Sequence, residues 1–211
     1  MKSLPRMNSY QILANTPHGT IQYTCKSRLT EVKDLIQYVD KNTYDALCKQ
    51  GCPNYNKKWS CPPYAPDFTS FTTPFQYINI ILLLANMEEF CYIKQNYLKI
   101  KAANSVLKSR IDKALRCCMN EDEFYISTGS CRLCRSCKKK MDGSCAHPKE
   151  RTYSFEALGI NVSAMAKSLF KTELLWYKKN ELPKYTCVVG GLLTNCNSLN
   201  EKVVKKLVQL R

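Results

Sequence analysis

The chain has 211 residues, 45% hydrophobic and 23% charged, a balance that suits a folded globular protein and excludes a disordered one. Its 32 lysines and arginines exceed its 17 acidic residues by 15, so anionic partners or cofactors are expected. The longest apolar run, Ile78 to Ala85, falls far short of the ~20 residues a membrane helix needs, and Met1 to Tyr10 lacks the apolar stretch of a secretory signal.

In chain order, residues 1–29 show weak periodicity and read as a strand or an irregular lead-in. Thr30 is placed to cap a helix running to Val39, with Glu31 and Asp34 in its first turn and Val32, Leu35, Ile36 and Val39 on one face. Residues 45–75 form a first cysteine loop. Pro53, Pro62, Pro63, Pro66 and Pro74 break any long element there and leave only Cys48 to Cys52 for a helical turn. A loop of that length needs something to hold it, and metal is a common answer.

Tyr77 to Ala85 reads as a buried strand. Met87 to Cys118 carries a helical stripe of Ile93, Tyr97, Ile100, Leu107, Ile111, Leu115 and Cys118. Phe124 to Thr128 is a short strand closed by Gly129, and a second cysteine loop spans 129–150. Ser154 to Phe170 reads as helix broken near Gly159, and Leu174 to Tyr177 with Tyr185 to Leu193 as a hairpin around Pro183. Ser198 and Glu201 form a capping box that opens a terminal helix. Its apolar face is Leu199, Val203, Leu207 and Leu210, and Lys202, Lys205 and Lys206 face water. Together these elements predict an α+β fold, a single domain over 1–211, with a small central sheet flanked by the helix near 87–118. The two cysteine loops are expected to meet at one edge of that sheet.

Thirteen cysteines are the second peculiarity. Without an export signal the expected compartment is the cytoplasm, where disulfides rarely persist, and an odd total does not suit a disulfide framework. Cys25, Cys91, Cys117, Cys118, Cys187 and Cys196 are scattered and read as small buried hydrophobes. The other seven fall into two groups. The second is Cys131-Arg-Leu-Cys134-Arg-Ser-Cys137, then seven residues, then Cys145-Ala-His147-Pro148. Three cysteines spaced by two residues wrap one turn of backbone around a cluster corner, the ferredoxin arrangement for a [4Fe–4S] cube. The fourth cysteine lies farther on than in that pattern. Zinc is the rival, although its knuckles use paired rather than tripled cysteines.

The first group is Cys48-Lys-Gln-Gly51-Cys52, then eight residues, then Cys61-Pro62-Pro63, a spacing that no common zinc pattern has. Two cubes need eight thiolates, and the two groups hold seven. Cys145 either completes its own cube or joins Cys48, Cys52 and Cys61, and in both cases one iron lacks a cysteine. That iron could take a scattered cysteine or His147, or stay open as a Lewis-acid site. One cluster shared by both groups is a further possibility.

These residues resemble the "predicted metal-binding protein" family (domain of unknown function 2284). The matching pieces are the first group, ending Trp59-Ser60-Cys61-Pro62-Pro63, and the second, Cys131 to Pro148. The likeness continues through Arg151, Ser154, Glu156, Ala157, Gly159, Ile160 and Val162, and covers about residues 45 to 195. It implies metal or iron–sulfur binding by the cysteines and implies no reaction. Asn56 departs from the pattern where glycine is expected, which bears on loop geometry rather than ligation. Arg151 is placed to offset thiolate charge or to pair with Glu156, and Glu156 to favour a helix start.

The cations cluster near the cysteines: Lys57 and Lys58 in the first group, and Arg132, Arg135, Lys138, Lys139 and Lys140 in the second. They suit a net-negative cluster, or docking of an acidic electron-transfer protein such as a ferredoxin or flavodoxin. No zinc-finger helix or RNA-binding strand motif is present, so RNA is the weaker candidate partner. The leading expectation is an iron–sulfur protein with one or two [4Fe–4S] clusters, acting in electron transfer or in redox chemistry on a small molecule. The alternative is a zinc-stabilised binding module contacting an acidic protein or RNA. Either way the expected metal ligands are Cys48, Cys52, Cys61, Cys131, Cys134, Cys137 and Cys145.

Overall fold

The computed structural model describes residues 7–179, 181–198 and 201–210. The expected lead-in is a hairpin: β1 (Asn8–Thr16) and β2 (Gly19–Glu31) pair antiparallel from Asn8 opposite Ser27 to Thr16 opposite Gly19. Alternation in β2 sends Ile21, Tyr23 and Cys25 to one buried face. The helix expected from Thr30 is instead a 3-10 helix over Val32–Tyr38. Thr30 stays in β2, and its hydroxyl donates to Asp34 Oδ2 at 3.2 Å.

Two helices lie within or beside the predicted loop. The first, α1 (Lys41–Gly51), is three turns long because Asp40 caps it, accepting from Thr43 N at 3.1 Å. Short α2 (Phe68–Thr72) is capped in the same way by Asp67, which accepts from Ser70 N at 2.9 Å. The buried strand β3 (Tyr77–Asn86) is as expected. The long helix is not continuous: a 3-10 turn over Met87–Phe90 precedes α3 (Asn96–Cys118), and Tyr97 of the predicted stripe is exposed.

The remaining elements are β4 (Phe124–Ile126), α4 (Val162–Phe170), β5 (Tyr185–Thr194) and α5 (Glu201–Gln209). Residues 155–159 are turns rather than helix, flanked by lone bridges at Ser154 and Ile160, and α4 begins only where Asn161 accepts from Ala164 N at 2.9 Å. Leu174 to Tyr177 is not a strand, so β5 has no hairpin partner there; a lone bridge joins Lys178 and Glu181. The proposed cap of the last helix runs through residues 199–200, and Leu199 with it lies outside the described residues.

The five strands form one antiparallel sheet in the order β1-β2-β3-β5-β4. Both faces are covered. Ile81, Leu83 and Ala85 of β3 pack with α3 and α5, while Ile78, Ile80 and Leu82 pack with Leu35, Phe68, Phe155 and Phe170. Burial on both faces is why β3 reads as a nearly unbroken apolar run. α3 lies close on β5: a Cβ at Gly190 would sit 2.9 Å from Leu115 Cδ1. No helix among the described residues is long and apolar enough to cross a membrane.

This arrangement positions the cysteine loops. β4 is an edge strand, and the second loop leaves from its end. The chain returns beside it, with Ser127 N donating to Tyr153 O at 2.8 Å and Ser127 bridging Ser154 in parallel. The same returning segment takes Asp40 N on Gly159 O at 2.7 Å and Phe68 N on Leu158 O at 2.9 Å. α1 and α2, which bracket the first loop, are thereby moored to the end of the second.

Candidate metal centre

Cys48 and Cys52 lie one helical turn apart at the end of α1, where Cys52 N donates to Cys48 O at 3.0 Å. Cys61 follows in a series of turns and is buried. The loop between them needs a left-handed residue at Asn56, whose φ is 55°. Glycine fits that conformation without strain and asparagine tolerates it, so Asn56 can serve where glycine was expected. Asn56 N donates to Pro62 O at 2.9 Å, and its Oδ1 accepts from Tyr64 at 2.5 Å, closing the loop on itself.

The second loop has little regular structure beyond a 3-10 turn over Lys138–Met141. Its Cys131, Cys134, Cys137 and Cys145 all line one cavity of about 330 Å³. The opposite wall comes from the first loop, including Asn54, Lys57, Trp59 and Ser60. Cys48, Cys52 and Cys61 are not in that lining. They stand beside it as a second set.

Electrostatics shows which thiols sense one another. Burial pushes the Cys48 thiol up to about 11, with Cys52, Cys61, Asp45 and Glu156 adding to the rise. Burial also raises Cys61, which feels Cys52 on one side and Cys137 on the other. Tyr153 is raised mainly by burial, with Cys145 and Cys131 contributing. Cys48 thus senses Cys52 and Cys61, and Cys61 senses Cys52 and, more weakly, Cys137.

Three contacts clasp the loops. Ser60 Oγ accepts from Cys131 N at 3.0 Å, Lys58 Nζ donates to Ser130 Oγ at 2.9 Å, and Trp59 Nε1 donates to Gly143 O at 2.9 Å. Lys139 Nζ lies 5.3 Å from the Trp59 ring and 4.7 Å from the Tyr64 ring, two aromatics that meet edge to face. Lys139 also pairs with Asp142. None of this clasp was visible in the sequence, because its hydrogen bonds join residues 71 to 84 positions apart. The lysines there read only as charge.

Arg151 lines the cavity, but its partner is Tyr153 rather than Glu156: Nε donates to the phenol at 2.8 Å, with the guanidinium 5.4 Å from the ring. Glu156 lies in a turn, not at a helix start. His147 also lines the cavity, and its Nδ1 is 3.6 Å from Glu150. Of the scattered cysteines, Cys25 and Cys118 are buried and Cys187 is half-buried. Cys91, Cys117 and Cys196 are exposed, contrary to expectation, since each lies outside the faces that pack on the sheet.

The family model described as Predicted metal-binding protein (DUF2284) matches residues 34–193. The chain belongs to that family. The matched stretch of this DUF2284 protein contains all seven grouped cysteines, whereas β1 and α5 lie outside it. No curated protein and no solved structure matches the chain. For a DUF2284 protein the donor set is apt: thiolates are soft ligands that select zinc or iron–sulfur clusters. Among the described residues, however, no three His, Cys, Asp or Glu side chains form a group that could hold a metal ion. The fit is one of donor chemistry and shared placement, not of closed coordination geometry.

Proposed function

We propose that this DUF2284 protein is an iron–sulfur protein of the cytoplasm that passes electrons to or from an acidic partner. Cys131, Cys134, Cys137 and Cys145 would hold one [4Fe–4S] cluster. Cys48, Cys52 and Cys61 would hold a second, short of one cysteine. The observation that carries this reading is the lining of a single cavity by four cysteines, three of them in Cys-x2 spacing, with Cys48, Cys52 and Cys61 as the further thiols. A cluster so held supplies one-electron chemistry, and an iron without a fourth cysteine supplies a Lewis-acid position for a small molecule.

The protein's own part is to shape and charge the site. Lys57, Lys58, Arg135, Lys140 and Arg151 line the cavity with no acidic side chain among its lining residues. They offset the negative charge of a four-thiolate cluster and favour its reduced form. The same cations would steer an acidic electron-transfer protein such as a ferredoxin or flavodoxin to the opening. Trp59 and Tyr64, clasped on Lys139, hold the two loops together. Thirteen free cysteines suit a reducing compartment.

The test is anaerobic purification followed by metal and sulfide analysis. Brown protein with stoichiometric iron and acid-labile sulfide, bleached by dithionite, is expected. Colourless protein with stoichiometric zinc would overturn the proposal in favour of a zinc-stabilised binding module.

A further inference from the structure

A second cavity, of about 240 Å³, adjoins the thiol-lined one along the chain: Ser130 and Arg132 line it, while Cys131 between them lines the other. Helix α3 contributes Asp112, Lys113 and Arg116 to its wall. Its floor is built from polar side chains that are almost wholly buried, Tyr125 at 3% exposed, Ser127 at 4% and Thr152 at 2%.

The rim is cationic and one of its cations is fixed. Arg116 donates to the Tyr125 hydroxyl from Nε at 3.2 Å and from Nη2 at 2.8 Å, with its guanidinium 5.8 Å from that ring. Asp112 is the one carboxylate in the lining, and it is already engaged. Its Oδ1 accepts from Thr128 N at 3.0 Å, and both oxygens accept from Thr128 Oγ1 at 3.2 Å. Burial raises the Asp112 carboxyl above its ordinary range, while its hydrogen bonds from Thr128 and the charges of Arg132 and Arg116 pull it back down. Ser130 Oγ accepts from Lys58, so its proton remains for another acceptor.

Three cations against one engaged carboxylate repel a metal cation and attract an oxyanion. We propose that this cavity binds the phosphate or carboxylate group of a small molecule, gripped by Arg116, Arg132 and Lys113 with the Ser130 hydroxyl. Tyr125 holds Arg116 through Nε and Nη2, which leaves Nη1 and the outer hydrogen of Nη2 to donate to such a group. The site places an anionic ligand one residue from Cys131 and does not depend on which metal the thiols take.

The test is calorimetric titration of the as-purified protein in low chloride, with inorganic phosphate in one arm and malonate in the other. Saturable binding is expected in at least one arm; phosphate alone identifies a phosphate-bearing ligand, and malonate alone a carboxylate. Arg116→Gln with Arg132→Gln should weaken binding by about tenfold or more, as expected for loss of charge-assisted hydrogen bonds. Lys113→Gln with Arg116→Gln should do the same without touching the cysteine loop, while Lys101→Gln on the same helix changes nothing. Metal content and circular dichroism, followed in parallel, separate this result from loss of the thiol site or of the fold. Absence of saturable binding by either anion, or affinity unchanged within about twofold in both double variants, overturns the proposal.

Discussion

The Ser60 hydroxyl accepts a hydrogen bond from the Cys131 backbone N–H at 3.0 Å, joining the residue before the last cysteine of the first group to the first cysteine of the second. Ser60 is 1% exposed, so water has little access to replace it. Ser60→Ala should therefore leave the Cys131 N–H without its partner and cost about 1–3 kcal/mol. Urea denaturation of the variant checks this; an unchanged midpoint would show that the clasp rests on Trp59 and Lys58 instead.

Gly159 mediates the mooring of α1. Its φ is +91°, and an added Cβ would meet Lys41 Cα at 2.7 Å. Gly159→Ala should cost at least about 2 kcal/mol, from left-handed strain and from displacement of the α1 start. Because α1 carries Cys48 and leads directly into Cys52, metal content should fall along with the denaturation midpoint. A variant as stable as the parent would show that the turn relaxes freely.

The two-set arrangement of thiols makes a direct prediction about iron. With two clusters as proposed, Cys48→Ala should remove about half of the iron and spare a cluster on Cys131 to Cys145, and Cys134→Ala should do the converse. Iron analysis with electron paramagnetic resonance of the reduced protein distinguishes them. Complete loss of iron from either single variant would point to one shared cluster.

Alkaline stability should be set by groups in the main core. Burial pushes Cys25 from its ordinary 9.0 up to about 12. As pH passes 9 the unfolded chain releases this proton while the folded chain keeps it, so the folded state binds more protons and stability falls. The thiol alone accounts for a loss of about 1.4 kcal/mol per pH unit until its folded value is reached. Below pH 9 it has no effect. Tyr23, raised mainly by burial to about 12, and Cys187, raised to about 11, steepen the fall. Urea midpoints between pH 7 and 11 should show the decline, and Cys25→Val should reduce its slope by about one proton; an equal slope in the variant would assign the decline elsewhere.

Much of the architecture was legible along the chain. β3, β4, β5 and the body of α3 announce themselves because each buries a face whose period the side chains must follow. The hairpin of β1 and β2 was harder to read, since its outer strand is half exposed and its alternation is diluted by polar residues. The loop reading hid α1 and α2, because Asp40 and Asp67 act as caps only through bonds to their own first turns, and prolines nearby dominate the pattern.

The spacing of Cys131, Cys134 and Cys137 by itself kept those three thiols close along the chain, because ligand spacing is a local property that consecutive residues set. Which thiols stand together was a tertiary matter. Cys145 joins the cavity of the second group, and Cys61 comes within electrostatic reach of Cys137, only because the strand edge at β4 and the moored turn at Gly159 bring distant loops side by side. Long-range packing, not spacing, also created the Lys139 clasp and the cationic pocket at Arg116. Such contacts depend on where the sheet ends and how the chain returns to it, and no local pattern of residues encodes that.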